Sequence, residues 1–426
     1  MNTNRKFLSR LLMRLALFVV VSTLIALLAG VPAQPAQAGP SARKTRTPTP
    51  TRTPINTPTQ TPAPFITPTP GPTTSVDGTW KIVSSPNVGS GTYGNRLNGV
   101  AVVSANDVWA VGFSPHPSGT PLYIRQTLIE HWNGSNWSVV PSPNPAGKTY
   151  VVLNGVAAIS ANDVWAVGHS GDPSTIPQTL TEHWDGTRWS IIPSPSPGTY
   201  NGNVLNAVAA VSSSDVWAVG WYQSGQTGQE GGALTMHWDG TQWTVVPNTS
   251  RWQLYGVTAI SSNDVWAVGE QSILHWNGTN WSTVSFPPPP GDSYQVLTAI
   301  DAVSANDIWA VGYSQWSYFY GYRYAPLTYH WDGSRWGLVP NAGGIDEFLF
   351  AVTAIAPNDA WAVGDNGQTQ HWNGADWSRV AAPYPGLGGR FHGVAAASSR
   401  DVWAVGTYID GNQNQWLTWI DRYTVP

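Results

Sequence analysis

The stretch Asp163-Val164-Trp165-Ala166-Val167-Gly168, with His183-Trp184-Asp185-Gly186-Thr187-Arg188-Trp189 behind it, decides how this chain folds. The first string, D-x-W-A-V-G, starts at Asp107, Asp163, Asp215, Asp264, Asp307, Asp359 and Asp401. The second, H-W-[ND]-G-x-x-W, starts at His131, His183, His237, His275, His330 and His371. An apolar segment such as 153–159 or 205–211 precedes each first string, and a short one such as 137–141 follows each second. Val-Trp-Ala-Val is β-branched and aromatic and apolar on both faces, which suits a sheet held between two others. Asn-Gly or Asp-Gly in the second string is a strong hairpin signal, and Ser-x-Asn-Asp ahead of the first string is turn chemistry.

Four short strands in about 50 residues match the plan of a propeller blade. The expected fold class is all-β: a seven-bladed β-propeller with four antiparallel strands per blade. In the seventh unit, Thr418-Trp419-Ile420-Asp421-Arg422-Tyr423 corresponds to Thr127-Leu128-Ile129-Glu130-His131-Trp132, and no fourth strand follows it. The missing strand is found at the front, where Asp77-Gly78-Thr79-Trp80-Lys81-Ile82-Val83 resembles Asp185-Gly186-Thr187-Arg188-Trp189-Ser190-Ile191. The N-terminal strand is therefore expected to complete the last blade, which leaves no end blade with an exposed face.

The repeat also accounts for most of the 25 tryptophans: seven in second strands, six in H-W strings and seven in fourth strands. Those outside the register are Trp221, Trp252, Trp316, Trp416 and Trp419. A histidine repeated around a ring reads as scaffold, because function resides in singular sites. Second and third strands run antiparallel, so each aspartate that opens one lies beside the histidine that closes the other. An aspartate–histidine or aspartate–tryptophan hydrogen bond is expected in every blade, with Arg422 donating to Asp401 in the seventh.

The first-to-second and third-to-fourth turns are short and nearly invariant, and share one rim. The second-to-third and fourth-to-first loops share the other rim and vary widely, contracting at 270–273 and 365–368. Such loops carry function more often than a scaffold does. The richest runs from Tyr313 to Tyr324 and holds Trp316, Tyr318, Phe319, Tyr320, Tyr322 and Arg323. Rings with hydroxyl or indole donors suit a patch for a protein or polysaccharide, and Trp221, Tyr222, Trp252 and Tyr255 extend it. A small satellite core under the loop is the competing reading.

Enzymatic signals are weak. The chain has no cysteine, which excludes a thiol nucleophile and thiolate zinc sites. It has no G-x-S-x-G, H-E-x-x-H or phosphate-cradling glycine loop. Singular acids on the variable side are Asp172, Glu230, Asp292, Asp346 and Glu347, and sequence brings no two of them to the spacing of glycoside hydrolysis. No cofactor is implied, and no EF-hand spacing supports calcium.

The front of the chain is different in kind. Arg5, Lys6, Arg10 and Arg14 precede an apolar run over 15–31 and the small-residue site Ala36-Gln37-Ala38. This is an export signal over 1–38, or an uncleaved membrane anchor, since the run is near the lower limit for spanning. Residues 39–76 are rich in threonine and proline and read as a disordered, extended stalk, and 77–426 form the ring. From Asp77 onward 12 basic residues face 24 acidic ones, a net of −12. That balance does not suit a nucleic-acid binder.

The D-V-W-A-V-G and H-W-D-G-T-x-W strings resemble the tryptophan-rich repeats of secreted bacterial propellers, the family of the dispase autolysis-inducing protein. The resemblance covers 77–426 and implies an exported, non-catalytic protein working through contacts with other extracellular proteins. The D-G-T-x-W turn also resembles the Asp-box of sialidase-type propellers, but is one residue shorter, and no arginine cluster is evident. The expectation is a surface-tethered protein-binding propeller, with a lectin-like polysaccharide binder second and a glycosidase third.

Overall fold

The computed structural model describes residues 77–89, 94–115, 124–172, 175–200, 202–225, 230–291, 293–318, 321–411 and 415–426. The signal and stalk assigned to 1–76, and Phe319, Tyr320 and Asp292, lie outside the described residues. Within them the chain forms 28 strands and no helix. These strands make seven blades of four antiparallel strands, with blades 1 and 2 joined by one parallel bridge between Arg125 and Tyr150. Blade 1 is Arg96–Ser104, Asp107–Pro115, Arg125–Trp132 and Trp137–Val139, and blades 2 to 6 open with Tyr150–Ser160, Gly202–Ser212, Leu254–Ser261, Tyr294–Ser304 and Leu349–Ala356. Blade 7 is Leu387–Ser398, Asp401–Asp410, Gln415–Thr424 and, from the other end of the chain, Thr79–Ile82. Trp80 pairs with Tyr423 and Ile82 with Asp421, so the N-terminal strand closes the ring. The first strands abut one another in cyclic order, blade 7 against blade 1 included, and enclose a central channel.

The core is divided among the joints between blades. Trp109, Val111 and Ile129 of blade 1 pack with Leu153, Val164, Leu180 and Trp189 of blade 2, and six further clusters repeat this around the ring. At each joint a second-strand tryptophan meets two rings of the next blade. Trp109 lies 5.1 Å from Trp184 and 5.5 Å from Trp189. Trp361 lies 4.6 Å from Tyr423 and 5.3 Å edge-on from Trp80, which fills the same place at the closing joint. Edge-to-face pairs of this kind add to plain area burial.

The glycine that ends each D-x-W-A-V-G string is dictated by backbone proximity. A Cβ on Gly312 would stand 2.0 Å from the Val296 carbonyl oxygen, and the other six are equally tight. This close approach lies beside a β-bulge in every first strand, as between Leu97 and Gly99 or Phe391 and Gly393. A bulge leaves one residue unpaired and re-aims its side chain. Here the extra residues are Asn98, Asn154, Asn206, Tyr255, Thr298, Phe350 and His392. Three asparagines donate to a leucine carbonyl of the following blade at 2.7–2.8 Å, and Thr298 does so at 2.9 Å. The tyrosine, phenylalanine and histidine abandon that latch.

Candidate functional site

On the rim of short turns, the aspartates and histidines come together in each blade. His131, His183 and His330 lie 2.8 Å from Asp107, Asp163 and Asp307. His237, His275 and His371 lie 2.9 Å from Asp215, Asp264 and Asp359. A carboxylate only accepts, so Nε2 of each ring carries the proton. Arg422 donates through Nε and Nη2 to both oxygens of Asp401 at 2.7 Å. Each histidine ring also lies 4.2–4.6 Å from its blade's second-strand tryptophan.

The 313–324 segment is not an irregular loop. The strands Asp307–Tyr318 and Gly321–Trp331 continue as a two-stranded ribbon, with Trp316 opposite Arg323 and Ser317 opposite Tyr322. Period-two alternation puts Trp316, Tyr318 and Arg323 on one face and Tyr313, Tyr322 and Tyr324 on the other. Tyr313 and Tyr324 pack against Phe348 at 4.9 Å. Tyr318 and Tyr322 are 52% and 55% exposed, and Arg323 lies over Tyr318. Trp316 lines an open groove of about 610 Å³ with Pro289, Pro290, Pro340 and Asn341. Trp221 covers Gly202 and Tyr222 packs on the blade 2–blade 3 core, with blade 4 between them and the ribbon.

Three of the five singular acids are engaged in ion pairs. Asp346 pairs with Arg323, Glu347 with Arg379, and Asp172 with Lys148 at 3.6 Å.

A second group of residues stands where the first strands begin, at the channel mouth on the variable rim. Glu270 accepts from Tyr255 at 2.9 Å and from Tyr294 at 2.8 Å. Burial first, and then the Glu270 charge, raises the Tyr255 hydroxyl, and burial raises Tyr294, so both stay protonated donors. Phe348 and Phe350 stack at 6.0 Å, and Phe350 lies 5.7 Å from His392. Nη2 of Arg96 is 3.4 Å from Nδ1 of His392. Arg390 is tied to Asp365 at 2.7 Å. Arg125 lies over Phe113 and Tyr150 and donates to the Tyr150 hydroxyl. His169 follows, 5.6 Å from Tyr150.

This arc is acidic at blade 4 and cationic across blades 7 and 1. Burial, then the charges of Arg390 and Arg125, pull Arg96 down to about 10. Burial and Arg125 bring His169 to about 4, and burial with Arg96 and Arg390 holds His392 well below the usual imidazole range. Both rings are thus neutral at pH 7.

Of these channel residues the sequence offers only Tyr255 as a candidate, with Glu270 and Asp365 merely bounding the contracted loops; the grouping of Arg96, Arg125 and Arg390, not evident in sequence, forms on folding. Arg96 and His392 are 296 positions apart and meet only because blade 7 closes onto blade 1. One signal was available: the leucine of the first strand recurs, while its flanks run Arg96 and Asn98, Val152 and Asn154, Gln253 and Tyr255, Phe348 and Phe350. In blade 7 the same place reads Arg390, Phe391, His392.

No protein-family model and no curated protein matches the chain. Solved structures do. "YCF48 bound to D1 peptide" matches with TM-score 0.51 at 13% identity, over 82% of this chain and 97% of that one. "Structure of U3-55K" matches with TM-score 0.51 at 9% identity, over 83% and 100%. "Crystal structure of RRP9 WD40 repeats" matches with TM-score 0.52 at 9% identity, over 84% and 100%. At such identities the likeness is one of fold, and it agrees with the strand order above: this chain is a β-propeller.

Proposed function

We propose that the chain is a non-catalytic protein-binding propeller, exported, held off a surface by its threonine–proline segment, and engaging an extracellular protein through the variable rim. The observation that carries this reading is the blade 5 ribbon, which offers half-exposed Tyr318 and Tyr322 and a groove at Trp316 beside a rigid ring. Aromatic anchors at a pocket, on a scaffold that loses little entropy on binding, are the usual centre of a protein interface. A propeller bound to a peptide among the structural neighbours is a precedent for the architecture. The likeness to tryptophan-rich exported propellers supports the same compartment and mode.

A polysaccharide platform is less favoured, because alternation sends Tyr318 and Tyr322 to opposite faces of the ribbon. Glycoside cleavage is not favoured by the acids near the mouth. Glu270 is held by two tyrosines and Asp365 by Arg390.

The test is selection of a displayed peptide library on the full chain, followed by affinity measurement on a variant combining Trp316→Ala, Tyr318→Ala and Tyr322→Ala. A drop of at least tenfold is expected. Selected peptides that bind the variant unchanged, glycan-array binding without peptide binding, or turnover of a glycoside substrate would each overturn the reading.

A further inference from the structure

Polar atoms without partners sort into two kinds in this protein. All seven fourth-strand indole N–H groups lack an oxygen acceptor, as do five of the second-strand ones. They recur from blade to blade, so they belong to the scaffold and its edge-on ring packing. The singular cases are different. Besides groups of Glu130, Glu182, Gln368, Gln370 and Asp421 elsewhere in the ring, they include Nε of Arg96, Nε2 of His392 and Nδ1 of His169, which no other blade repeats.

These atoms fall in one lobe of the channel mouth. The ring carries a net −12 from Asp77 onward, with only 12 lysines and arginines, yet three of those 12 meet here as Arg96, Arg125 and Arg390. Asp365 neutralises Arg390. Arg125 is steadied by the faces of Phe113 and Tyr150 and by the tyrosine hydroxyl, none of which carries charge. Among the described residues, Arg96 hydrogen-bonds only the neutral His392 ring. The sequence next to these two arginines, 90–95 and 116–124, contains no acid. Two cations are therefore gathered without a carboxylate among the described residues, in a molecule otherwise rich in acids.

The histidine tautomer adds direction. An arginine N–H only donates, so Nδ1 of His392 accepts from Arg96 and the ring proton sits on Nε2. That N–H is the one left without an acceptor. Clustered guanidiniums and an N–H without a protein acceptor cost free energy, and an oxyanion bound among them relieves both.

We propose that the Arg96–Arg125–His392 lobe is an oxyanion-binding site, occupied by a carboxylate side chain of the peptide ligand. The identity of that ligand rests on the protein-binding reading above; the oxyanion site itself does not. Two features favour a peptide carboxylate. Guanidinium forks match its planar geometry, and Phe350 and Phe348 continue from His392 as an apolar track for the neighbouring side chains. Phosphate and sulfate present the same chemistry and serve as controls.

The experiment uses the full chain and three variants: Arg96→Gln, Arg125→Gln and the charge-keeping Arg96→Lys. Circular dichroism and tryptophan emission first establish that each is folded. Melting is then followed in acetate, phosphate or sulfate against chloride at equal ionic strength. Oxyanions are expected to raise the wild-type midpoint by several degrees and Arg96→Gln by less than a third as much, with Arg96→Lys in between. Titration with capped peptides carrying Asp or Glu, and with their Asn or Gln counterparts, follows. Acidic peptides are expected to bind at least tenfold more tightly, and Arg96→Gln and Arg125→Gln to erase that preference.

No oxyanion-specific shift in the wild type, or an equal shift in Arg96→Gln, overturns the site. A normal oxyanion shift with no preference for acidic peptides upholds the site and overturns its peptide occupant. Peptide binding that ignores both arginine substitutions leaves the protein-binding reading intact and overturns the carboxylate assignment.

Discussion

The two rims of this disc are built from the same 28 strands and behave in opposite ways. On the short-turn rim, blade after blade repeats the aspartate–histidine pair within 2.8–2.9 Å, and the seventh substitutes an arginine that preserves the bond. On the channel side of the other rim, the bulge residues run asparagine, asparagine, asparagine, tyrosine, threonine, phenylalanine, histidine. The difference follows from what each position touches. A repeat histidine lies against a tryptophan that is itself wedged into the next blade, so any change is felt across a joint. A bulge residue borders the open channel, and the leucine beside it already secures the joint. Chemical variety collects where the packing has released the side chain.

The largest test of this contrast is Gly312→Ala on the scaffold. Its Cβ would overlap the Val296 carbonyl at 2.0 Å, and a loss of about 3 kcal/mol or more is expected in denaturant melts, or no soluble protein. An alanine variant of wild-type stability would show that the repeated glycine is not set by packing.

The next test asks whether departure from the repeat is enough to mark a site. Glu130 and Glu182 are fully buried in third strands, and no oxygen of either has a partner. Burial raises Glu182 to about 8 from its ordinary 4.5. Below pH 4.5 both folded and unfolded chains hold the proton. Between 4.5 and 8 only the folded chain does, so stability falls as pH rises, by about 1.4 kcal/mol per unit. Blade 6 has Gln370 at the corresponding register position. Glu182→Gln is expected to add roughly 4 kcal/mol at pH 8 and nothing at pH 4, measured by urea unfolding across pH. The slope should shrink without vanishing, because Glu130 is raised in the same way. An unchanged slope would mean that Glu182 is ionised in the folded chain.

Smaller effects separate the rims further. Asp359 and His371 form the most enclosed pair, each 4% exposed, and Asp359→Ala should cost about 2 kcal/mol by stranding the imidazole N–H. The same change at Asp107, whose pair with His131 is 26% and 20% exposed, should cost about half as much. Equal losses would argue that burial does not set the worth of the pair. Smallest of all is Tyr322→Ala on the variable rim, expected within about 0.5 kcal/mol of wild type in thermal melts. A large loss there would make the ribbon part of the core.

The repeat made the scaffold legible before any coordinates. Seven copies fix the strand register, which is why Trp80 could be assigned to blade 7 and Arg422 set beside Asp401 from spacing alone. The segment from Tyr313 to Tyr324 reads as a loop in sequence because its aromatic richness hides a plain alternation of faces. The cationic lobe was illegible for a stronger reason. Arg96, Arg125 and His392 are unremarkable singly, and only ring closure brings positions 296 apart within hydrogen-bonding distance.

Closure also sets a timetable. Gly78 donates to the Tyr423 hydroxyl across 345 positions, and Thr79–Ile82 has no partner until residues 421–424 exist. While the chain is being made, blades 1 to 6 can be completed in order, but the earliest strand of the ring must wait for the latest. Contacts so far apart in sequence form slowly, and an unpaired strand invites pairing with the wrong chain. Four residues, one of them Lys81, keep that waiting edge small. Assembly of the disc is thus gated by its final step, and an early stop anywhere before residue 421 leaves a fan with two bare sides.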